Sequence, residues 1–428
     1  METEPLYHTL TLKRHIEPSE QGLFLEVPFQ MPEGADDLTV RIEVAATPGA
    51  SAVIDLGVRD SHRVRGWSGG ARRHFTIGLD QATPGYLPGP IAPGEWAVLL
   101  GAYQVPDEGC DVTLSIRCAL RSPRWLKGDL HGHTVHSDGQ YTLAQVVEIV
   151  ESLGLDFMGL MDHNTCSQNR TYPRDTSVVF IPGMELTTYR GHCNLLGVPD
   201  PVDDFRVVDQ AMLNERIAEA RSRGAYVSLN HPCDTSCPSC SWQWDWQFPY
   251  DWVEIWNGPW RECNQQALAW WQRQLASGAR VVAVGGSDVH RPHPLVRHGW
   301  PTTWVKAESR SIVGILQALK AGHAFISYAP DGPAAELSCG DFMMGDVVPH
   351  DQRAPFELTL QGVQEGDTVC VISDQGNEIT RVIEAGATDF SLTWPAAGRR
   401  FYRVEVWRHF DAVGQRLPAL ITNPIYLG

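Results

Sequence analysis

The first part of the chain alternates apolar and polar residues over short segments. "GLFLEVPFQ", "LTVRIEVAA", "EWAVLLGAY" and "DVTLSIRCA" all have this two-residue period, and turn-rich stretches such as "MPEGADD" and "TPGYLPGPIAPG" separate them. Alternation places the apolar side chains on one face of a strand, and Gly, Pro and Asp clusters end it. The pattern predicts an N-terminal β-sandwich over residues 1–122.

After Arg121, apolar runs alternate with longer segments of helical period. "YTLAQVVEIVESLG" has Thr142 as a candidate N-cap, Gln145 three residues later and Gly154 at the end, which are helix boundary signals. Helices are also predicted at about 206–223, 262–277 and 309–321, and strands at "LDFMGLM", "SVVFIPG", "AYVSLN", "WVEIWN", "RVVAVGG" and "HAFISY". This alternation predicts an α/β domain over residues 123–330, with a parallel sheet that is open or closed into a barrel.

The two-residue period returns near the end of the chain. "APFELTLQG", "DTVCVISDQG" and "RFYRVEVWRHF" alternate apolar and polar residues, with turn residues between them. A second, C-terminal β-sandwich of immunoglobulin-like type is therefore predicted over residues 331–428.

Several segments of the central region carry side chains that can bind a metal. His131 and His133 are two residues apart in "LHGH", so a strand would point both rings to one face. Candidates in the later segments are His163, Glu185, His192, His231, Asp288 and His290. In a β/α barrel the carboxyl ends of the strands meet at one face, where active sites are built. Ligands of this kind, without cysteine, suit Zn, Mn or Fe, and a set of nine is too many for one ion and suits two or three.

Five motifs together resemble the PHP (polymerase and histidinol phosphatase) domain superfamily. They are "DLHGHTVHSDG", "MDHN", "GMELTTYRGHCNLLG", "NHP" and "GGSDVH", in family order between about residues 125 and 330. The last motif, the upstream "EIWNG" and the flanking sandwiches are most similar to a metallohydrolase branch that includes carbamate-pesticide hydrolases. The resemblance implies a distorted (β/α)7 barrel and a trinuclear metal site.

By position, the resemblance also implies a role for each ligand. The first metal would be held by His131, His133, Glu185 and Asp288; Glu185 would bridge to a second, completed by His192 and His231; and Asp138, His163 and His290 would hold a third, which is not always occupied in the superfamily. Asp129 and Asp162, each close to a ligand histidine in the sequence, are expected to orient imidazole rings or to bond at strand ends.

These ligands indicate hydrolysis by a hydroxide shared between two metals. Asp288 is the candidate catalytic residue that takes the proton during attack. Arg190, Arg261, Arg291 and Asn257 are candidates for binding substrate, and Arg291, beside His290, is favoured for clamping an anionic phosphate. A segment with eight of the fifteen tryptophans, from Ser241 to Trp271, forms an aromatic wall or packs inside the protein, and packing is favoured.

The amino-acid composition limits the classes of partner and the cellular compartment that we expect for this protein. A formal net charge of −17 argues against a nucleic-acid surface, and no apolar run approaches the roughly 20 residues that span a bilayer. The ten scattered cysteines suit a reducing cytoplasm. Cys233, Cys237 and Cys240 form a C-x3-C-x2-C array, for which a loop with free or oxidised thiols is favoured over a separate zinc or iron–sulfur site.

Three functional hypotheses follow. The leading one is hydrolysis of a small-molecule phosphoester by a phosphatase or phosphodiesterase. The second is hydrolysis of a carbamate or carboxylic ester at the same metal centre. The third, of a different class, is a non-catalytic carbohydrate-binding or assembly protein with an inert barrel.

Overall fold

The computed structural model describes residues 6–428. The first region consists of eight strands: β1 (Tyr7–Ile16), β2 (Phe24–Met31), β3 (Ala35–Ala45), β4 (Val53–Arg59), β5 (Val64–Gly69), β6 (His74–Gly78), β7 (Gly94–Gln104) and β8 (Cys110–Leu120). They form two four-stranded antiparallel sheets, in the orders β1-β8-β3-β6 and β2-β7-β4-β5. Alternate residues of both sheets, including Val40, Leu56 and Val98, enter one shared hydrophobic core, as the two-residue period predicts.

The central region alternates strands and helices. Its elements are β9 (Arg124–Gly132), α1 (Leu143–Ser152), β10 (Phe157–Leu160), β11 (Val179–Ile181), β12 (Gly183–Thr188), β13 (Gly191–Leu196), α2 (Gln210–Ser222), β14 (Tyr226–Leu229), β15 (Trp252–Asn257), α3 (Glu262–Ala276), β16 (Val282–Gly286), β17 (Thr302–Ala307), α4 (Ile312–Ala321) and β18 (Ala324–Ser327). The predicted helix start is confirmed, because Thr142 and Gln145 form a reciprocal capping box at α1.

The central strands form two sheets, and among the described residues they do not close into the predicted barrel. One sheet has the order β12-β13-β14-β15-β16, and the other includes β11-β10-β9-β17-β18. Both are mixed, since β12 pairs antiparallel with β13 and β9 antiparallel with β17. The connection between β12 and β13 is too short for the crossover that a parallel pair requires. In the part of the chain that the structure describes, the strand pairing between the two sheets consists of isolated bridges, Gly132 with Val289 and His163 with Glu185.

The last region contributes ten strands: β19 (Ala334–Cys339), β20 (Phe342–Met343), β21 (Val347–Val348), β22 (Phe356–Gln361), β23 (Thr368–Ser373), β24 (Gly376–Val382), β25 (Asp389–Trp394), β26 (Phe401–Phe410), β27 (Gln415–Thr422) and β28 (Ile425–Leu427). β27 pairs with β18, so a sheet of the central region continues across the boundary predicted near residue 330. A second sheet, β20-β19-β22-β25, shares a hydrophobic core with residues of β23 and β26.

The helices are short. The longest, α3, has 15 residues, and three single 3-10 turns occur at Pro18–Glu20, Ser167–Arg170 and His350–Gln352. Within residues 6–428, no helix combines the length and the apolar character needed to cross a bilayer.

Candidate metal centre

All nine side chains predicted as ligands meet where the two central sheets touch. Their nitrogen and oxygen atoms form four overlapping groups, and within each group the atoms lie within 4.8 Å of one another. The groups are His131, His133 and Glu185; His131, His231 and Asp288; Glu185, His192 and His231; and His133, Asp138, His163 and His290.

The strands explain how residues so far apart in the chain converge. His131 is the second-last residue of β9. His231 and Asp288 each lie two residues beyond the end of a strand, β14 and β16 respectively. His192 lies at the beginning of β13, but it sits opposite Thr187 of β12. Because β13 runs antiparallel to β12, its beginning reaches the same edge as the end of the other strands.

Backbone conformation at this edge is specialised. Among the described residues, only Asn164, His231 and Asp288 combine a positive φ with a side chain, at 54°, 26° and 54°. Such conformations cost free energy for residues other than glycine and occur preferentially at functional sites. Two of the three are predicted ligands, so the chain leaves regular strand geometry where it presents them.

Three separations between opposing ligand atoms are those of a metal site. His131 Nε2 is 3.4 Å from Asp288 Oδ1 and 3.5 Å from Glu185 Oε1, and His231 Nε2 is also 3.5 Å from Glu185 Oε1. A charge-assisted hydrogen bond is usually about 2.7–2.9 Å long. Ligands about 2.1 Å from one tetrahedral metal lie about 3.4 Å from each other. These atoms are therefore spaced as ligands of a common ion.

A second cluster of ligand atoms lies nearer to the solvent. The Nε2 atoms of His163 and His290 face each other at 3.3 Å, and each is 3.4–3.5 Å from Asp138 Oδ1. The Asp138 side chain is 62% exposed, whereas Glu185 is completely buried. This outer group would thus hold an ion less tightly than the buried groups do.

Several buried imidazole nitrogens have no hydrogen-bond partner among the described residues. His131 Nε2 and both ring nitrogens of His192 are buried and make no hydrogen bond with the described residues. Burying a polar group without a partner costs free energy. A cation between these nitrogens and the neighbouring carboxylates would satisfy them, so the donor set fits divalent metal ions.

The charges of the site fit the same interpretation. Burial alone would raise the pKa of Glu185, but His131, His163 and His192 hold that pKa well below its usual range. Burial lowers the pKa of His133 to about 4, which keeps that ring neutral, the form that binds a metal. Burial opposes protonation of His231 as well, yet Glu185 and Asp288 raise its pKa to about 9. A bound cation would replace that proton.

Sequence reasoning missed Glu254, which holds two ligands in place. Glu254 Oε1 is 3.1 Å from His131 Nδ1, and Oε2 accepts hydrogen bonds from the backbone N–H of His231 and the amide of Asn257. Gly286 packs so closely that a Cβ there would lie 2.4 Å from Glu254 Oε1. The available signal was a charged residue inside the apolar strand "WVEIWN".

Replacing Glu254 by Gln is expected to weaken metal binding about 10- to 100-fold, the usual effect of losing a carboxylate that orients a ligand histidine. The amide keeps the size of the side chain but removes the charge opposite His131 Nδ1. Metal affinity is measured by competition with a chromogenic chelator. Glu405→Gln is the matched control, because Glu405 is a buried carboxylate outside the site, paired with Arg403. Equal affinities in the two variants would refute the orienting role.

Asp129 and Asp162 take the second of the two roles expected of them: they accept hydrogen bonds at strand ends, and no hydrogen bond joins either carboxylate to an imidazole ring among the described residues. Asp129 accepts hydrogen bonds from Ser287, from the backbone N–H of Gly299 and from that of His131. Asp162 accepts from Thr134 and Ser137. Both carboxylates thus fix the loops that carry ligands, and Glu254 holds the ring of His131.

A cavity of about 910 Å³ opens onto the ligands. Trp256, Trp260, Trp300 and Tyr328 line one part of it, and the turn between β26 and β27 covers another. The residues of this turn and of the adjoining strand ends that line the cavity are Phe410, Ala412, Val413, Gln415, Leu417 and Pro418. The C-terminal region therefore contributes to the site, which the sequence did not predict.

The tryptophan-rich segment from Ser241 to Trp271 both packs inside the protein and forms part of the cavity wall. Trp252 and Trp271 are completely buried, and Trp242 and Trp244 are nearly so. Trp260 and Trp256, the latter only 2% exposed, border the cavity, with their rings edge to face at 4.9 Å. The favoured prediction of packing holds for most of the segment, and these two residues supply the aromatic wall.

The four predicted substrate-binding residues separate into two pairs. Arg261 and Asn257 line the cavity; an Arg261 NH2 group donates to Asp234 at 3.0 Å. Arg190 is exposed and stacks on Trp244, outside the cavity lining. Arg291 is also exposed and does not line the cavity. Proximity to His290 in the sequence does not bring Arg291 to the site, because neighbouring residues of an extended chain point in opposite directions.

Two of the three clustered cysteines form a bond. Cys237 and Cys240 are joined by a disulfide that lines the cavity, and Cys233 is free. This pairing leaves one free thiol of the predicted array and does not provide a thiolate metal site.

No family model and no curated protein sequence matched this chain. Among solved structures, it is similar to a two-domain protein of Bacteroides vulgatus, described as containing a predicted PHP-like metal-dependent phosphoesterase. The identity is 18%, over 69% of this chain and 95% of that one, with a TM-score of 0.44.

Two further structures are more distantly similar. An amidohydrolase of Chromobacterium violaceum, with bound sulfate and no metal, shares 15% identity over 47% of this chain and 97% of that one, with a TM-score of 0.30. A candidate metal-dependent phosphoesterase of Bifidobacterium adolescentis shares 16% identity over 40% of this chain and 91% of that one, with a TM-score of 0.27.

Proposed function

We propose that this protein is a metal-dependent hydrolase of small-molecule esters. The observation that carries the proposal is the convergence of nine histidine and carboxylate side chains, six of which line one cavity, with ligand atoms in each group within 4.8 Å of one another. The two buried groups around Glu185 would each hold a divalent ion, and the outer group with Asp138 would hold a third. Zn, Mn and Fe all suit these ligands.

Divalent ions at this position would act as Lewis acids and lower the pKa of a bound water. The protein supplies the groups around the reacting atoms. Asp288 lines the cavity; its Oδ1 is 3.0 Å from His133 Nε2 and its Oδ2 accepts a hydrogen bond from Asn257. Neighbouring histidines hold the pKa of Asp288 well below its usual range, although burial alone would raise it. As an ionised carboxylate facing the substrate, Asp288 accepts the proton of the attacking water.

A phosphoester is the substrate we favour. Arg261 is the one arginine among the cavity residues within the described chain, and its guanidinium is suited to bind a phosphate oxygen. It lies on the same wall as Asn257, at 3.3 Å. Metal ions at the base of the cavity would bind the remaining oxygens of the phosphoryl group.

A carbamate or carboxylic ester is the second candidate, and two observations favour it. The cavity wall is rich in aromatic and aliphatic side chains, including Trp256, Trp260 and Phe410. Arg261 is already paired with Asp234, which reduces the positive charge offered to an anion. An uncharged ester with an apolar leaving group would fit such a wall.

Arg261→Met distinguishes the two candidates. For a phosphoesterase, the loss of a hydrogen bond to a charged group, worth about 1.5–3 kcal/mol, should raise the KM for p-nitrophenyl phosphate about 10- to 100-fold. The KM for an uncharged aryl carbamate should change by less than about twofold. The measurement is steady-state kinetics on a phosphomonoester, a phosphodiester, an aryl carbamate and an aryl acetate. If only the uncharged esters are hydrolysed, the second candidate replaces the first; if none is hydrolysed by the metal-loaded protein, the proposed function is wrong.

We further propose a small-molecule partner rather than a nucleic acid. The net charge of −17 works against a phosphate backbone, and six of the nine predicted ligands line a cavity of about 910 Å³, which is the size of a small-molecule site. The complete set of nine ligands beside a cavity favours an enzyme over a non-catalytic binding or assembly protein.

A further inference from the structure

The disulfide lies in the loop that directly follows a predicted ligand. His231 is the second residue after β14, and Cys237 and Cys240 follow it six and nine positions later. Both cysteines are partly exposed and line the cavity that contains the ligands. A small reagent in the cavity can therefore reach their sulfur atoms.

The carbonyl of Cys240 fixes the ring of His231. His231 Nδ1 is 3.2 Å from this carbonyl oxygen, while Nε2 faces Glu185 Oε1 at 3.5 Å. A histidine that binds a metal through one nitrogen is oriented by the hydrogen bond of the other. The position of the Cys240 backbone thus decides whether His231 Nε2 points at its carboxylate partner.

Few other contacts hold the segment that the disulfide closes. The turn bond from the Cys240 N–H to the Cys237 carbonyl is long, at 3.4 Å, and the Pro238 carbonyl accepts from Gln243 Nε2 at 2.9 Å. Trp242, two residues beyond Cys240, is buried and donates to the Pro232 carbonyl at 2.9 Å. The ends of the loop are anchored, and the S–S bond is the only covalent link across its exposed tip in the described chain.

We propose that this disulfide is a thiol–disulfide exchange site that controls metal retention through His231. The inference rests on the proposed function in one respect, that His231 is a metal ligand. A low-molecular-weight thiol attacks one sulfur, breaks the S–S bond and forms a mixed disulfide; a second thiol molecule then releases the oxidised reagent. Two thiol molecules are oxidised to one disulfide, and their protons pass to the sulfurs of Cys237 and Cys240. The freed segment gains conformational entropy, the Cys240 carbonyl is held less firmly, and His231 binds its ion less tightly.

The first test counts thiols. With ten cysteines in the chain and one disulfide, denatured protein purified without reductant should react with eight equivalents of a thiol reagent, and with ten after reduction. Ten equivalents without reduction, with no change on treatment with an oxidised low-molecular-weight disulfide, would overturn the inference.

The second test measures the release of Zn²⁺ from loaded protein to an excess of chelator, after any reductant has been removed. Reduced wild type and the double variant Cys237→Ser, Cys240→Ser should both release at least one ion about 10- to 100-fold faster than oxidised wild type. The double variant keeps the backbone carbonyl and lacks only the bond. Cys233→Ser is the matched control, because Cys233 is a free cysteine of the same loop, and it should retain the redox response.

Release rates that do not depend on oxidation state would overturn the inference and leave the proposed function intact. Failure to hydrolyse any ester would overturn the proposed function alone, because neither test needs turnover. If the protein binds Mn²⁺ or Fe²⁺ and not Zn²⁺, release of that ion is measured instead; if it binds none of the three, both proposals are wrong.

Discussion

Replacing Glu185 by Gln is expected to lower kcat/KM by at least about 10³-fold, or about 4 kcal/mol of transition-state stabilisation at 1.36 kcal/mol per tenfold. Glu185 is completely buried, and its two oxygens face histidines on every side. Those within 3.5 Å are His131, His133, His163, His192 and His231. The amide has the same size, so the change removes the negative charge shared by both buried groups and little else.

Metal analysis shows whether Glu185→Gln loses activity because it loses metal ions. Because Glu185 belongs to two of the three buried groups, the variant should lose at least one ion per chain as well as activity. Metal content and circular dichroism are measured on the same preparation, with Glu405→Gln as the buried carboxylate control. A Glu185→Gln protein with full metal content and wild-type kcat/KM would refute the role of this residue.

Replacing Asp288 by Asn is expected to lower kcat about 10²- to 10⁴-fold, the range for loss of a general base. Asp288 faces the cavity and is ionised, and its carboxylate contacts His133 and Asn257. An amide of the same shape cannot accept the proton of the attacking water. The variant should fold normally, since the exposed edge of the side chain, 22% of its surface, needs no internal partner.

Metal analysis separates this loss from a loss of ions. Asp288 does not belong to the group of Glu185, His192 and His231, so Asp288→Asn should keep at least one ion per chain. Activity should fall at every pH at which the wild type is active. Wild-type kcat in a variant that still binds metal would show that another group takes the proton.

The sequence predicted the local elements well because their signals are local. The capping box of Thr142 and Gln145 placed the beginning of α1 correctly, and the helix predicted at 262–277 is observed at Glu262–Ala276. Strand pairing was harder, because periodicity shows that a segment is extended and does not show its partner. β9 pairs with β17, which lies far along the chain, and β27 extends the central sheet from the last region.

The residues of the candidate site were likewise predictable where their signal in the sequence was local. Histidines and carboxylates next to strands were predicted correctly to meet, because strands deliver such residues to a common edge. Glu254 was missed because it lies within a strand, and the turn that begins at Phe410 was missed because it has no chemical signature. Arg190 and Arg291 were misplaced because sequence distance from a ligand does not fix the direction of a side chain.

The metal content of the purified protein tests the central claim most directly. Protein stripped with a chelator, dialysed against Zn²⁺, Mn²⁺ or Fe²⁺ and analysed by mass spectrometry should hold two tightly bound ions per chain, with a third bound more weakly at the group of Asp138, His163 and His290. Ester hydrolysis should be absent from the stripped protein and return as the ions are restored. Less than one ion per chain with every metal, or hydrolysis that survives complete removal of metal, would contradict the account.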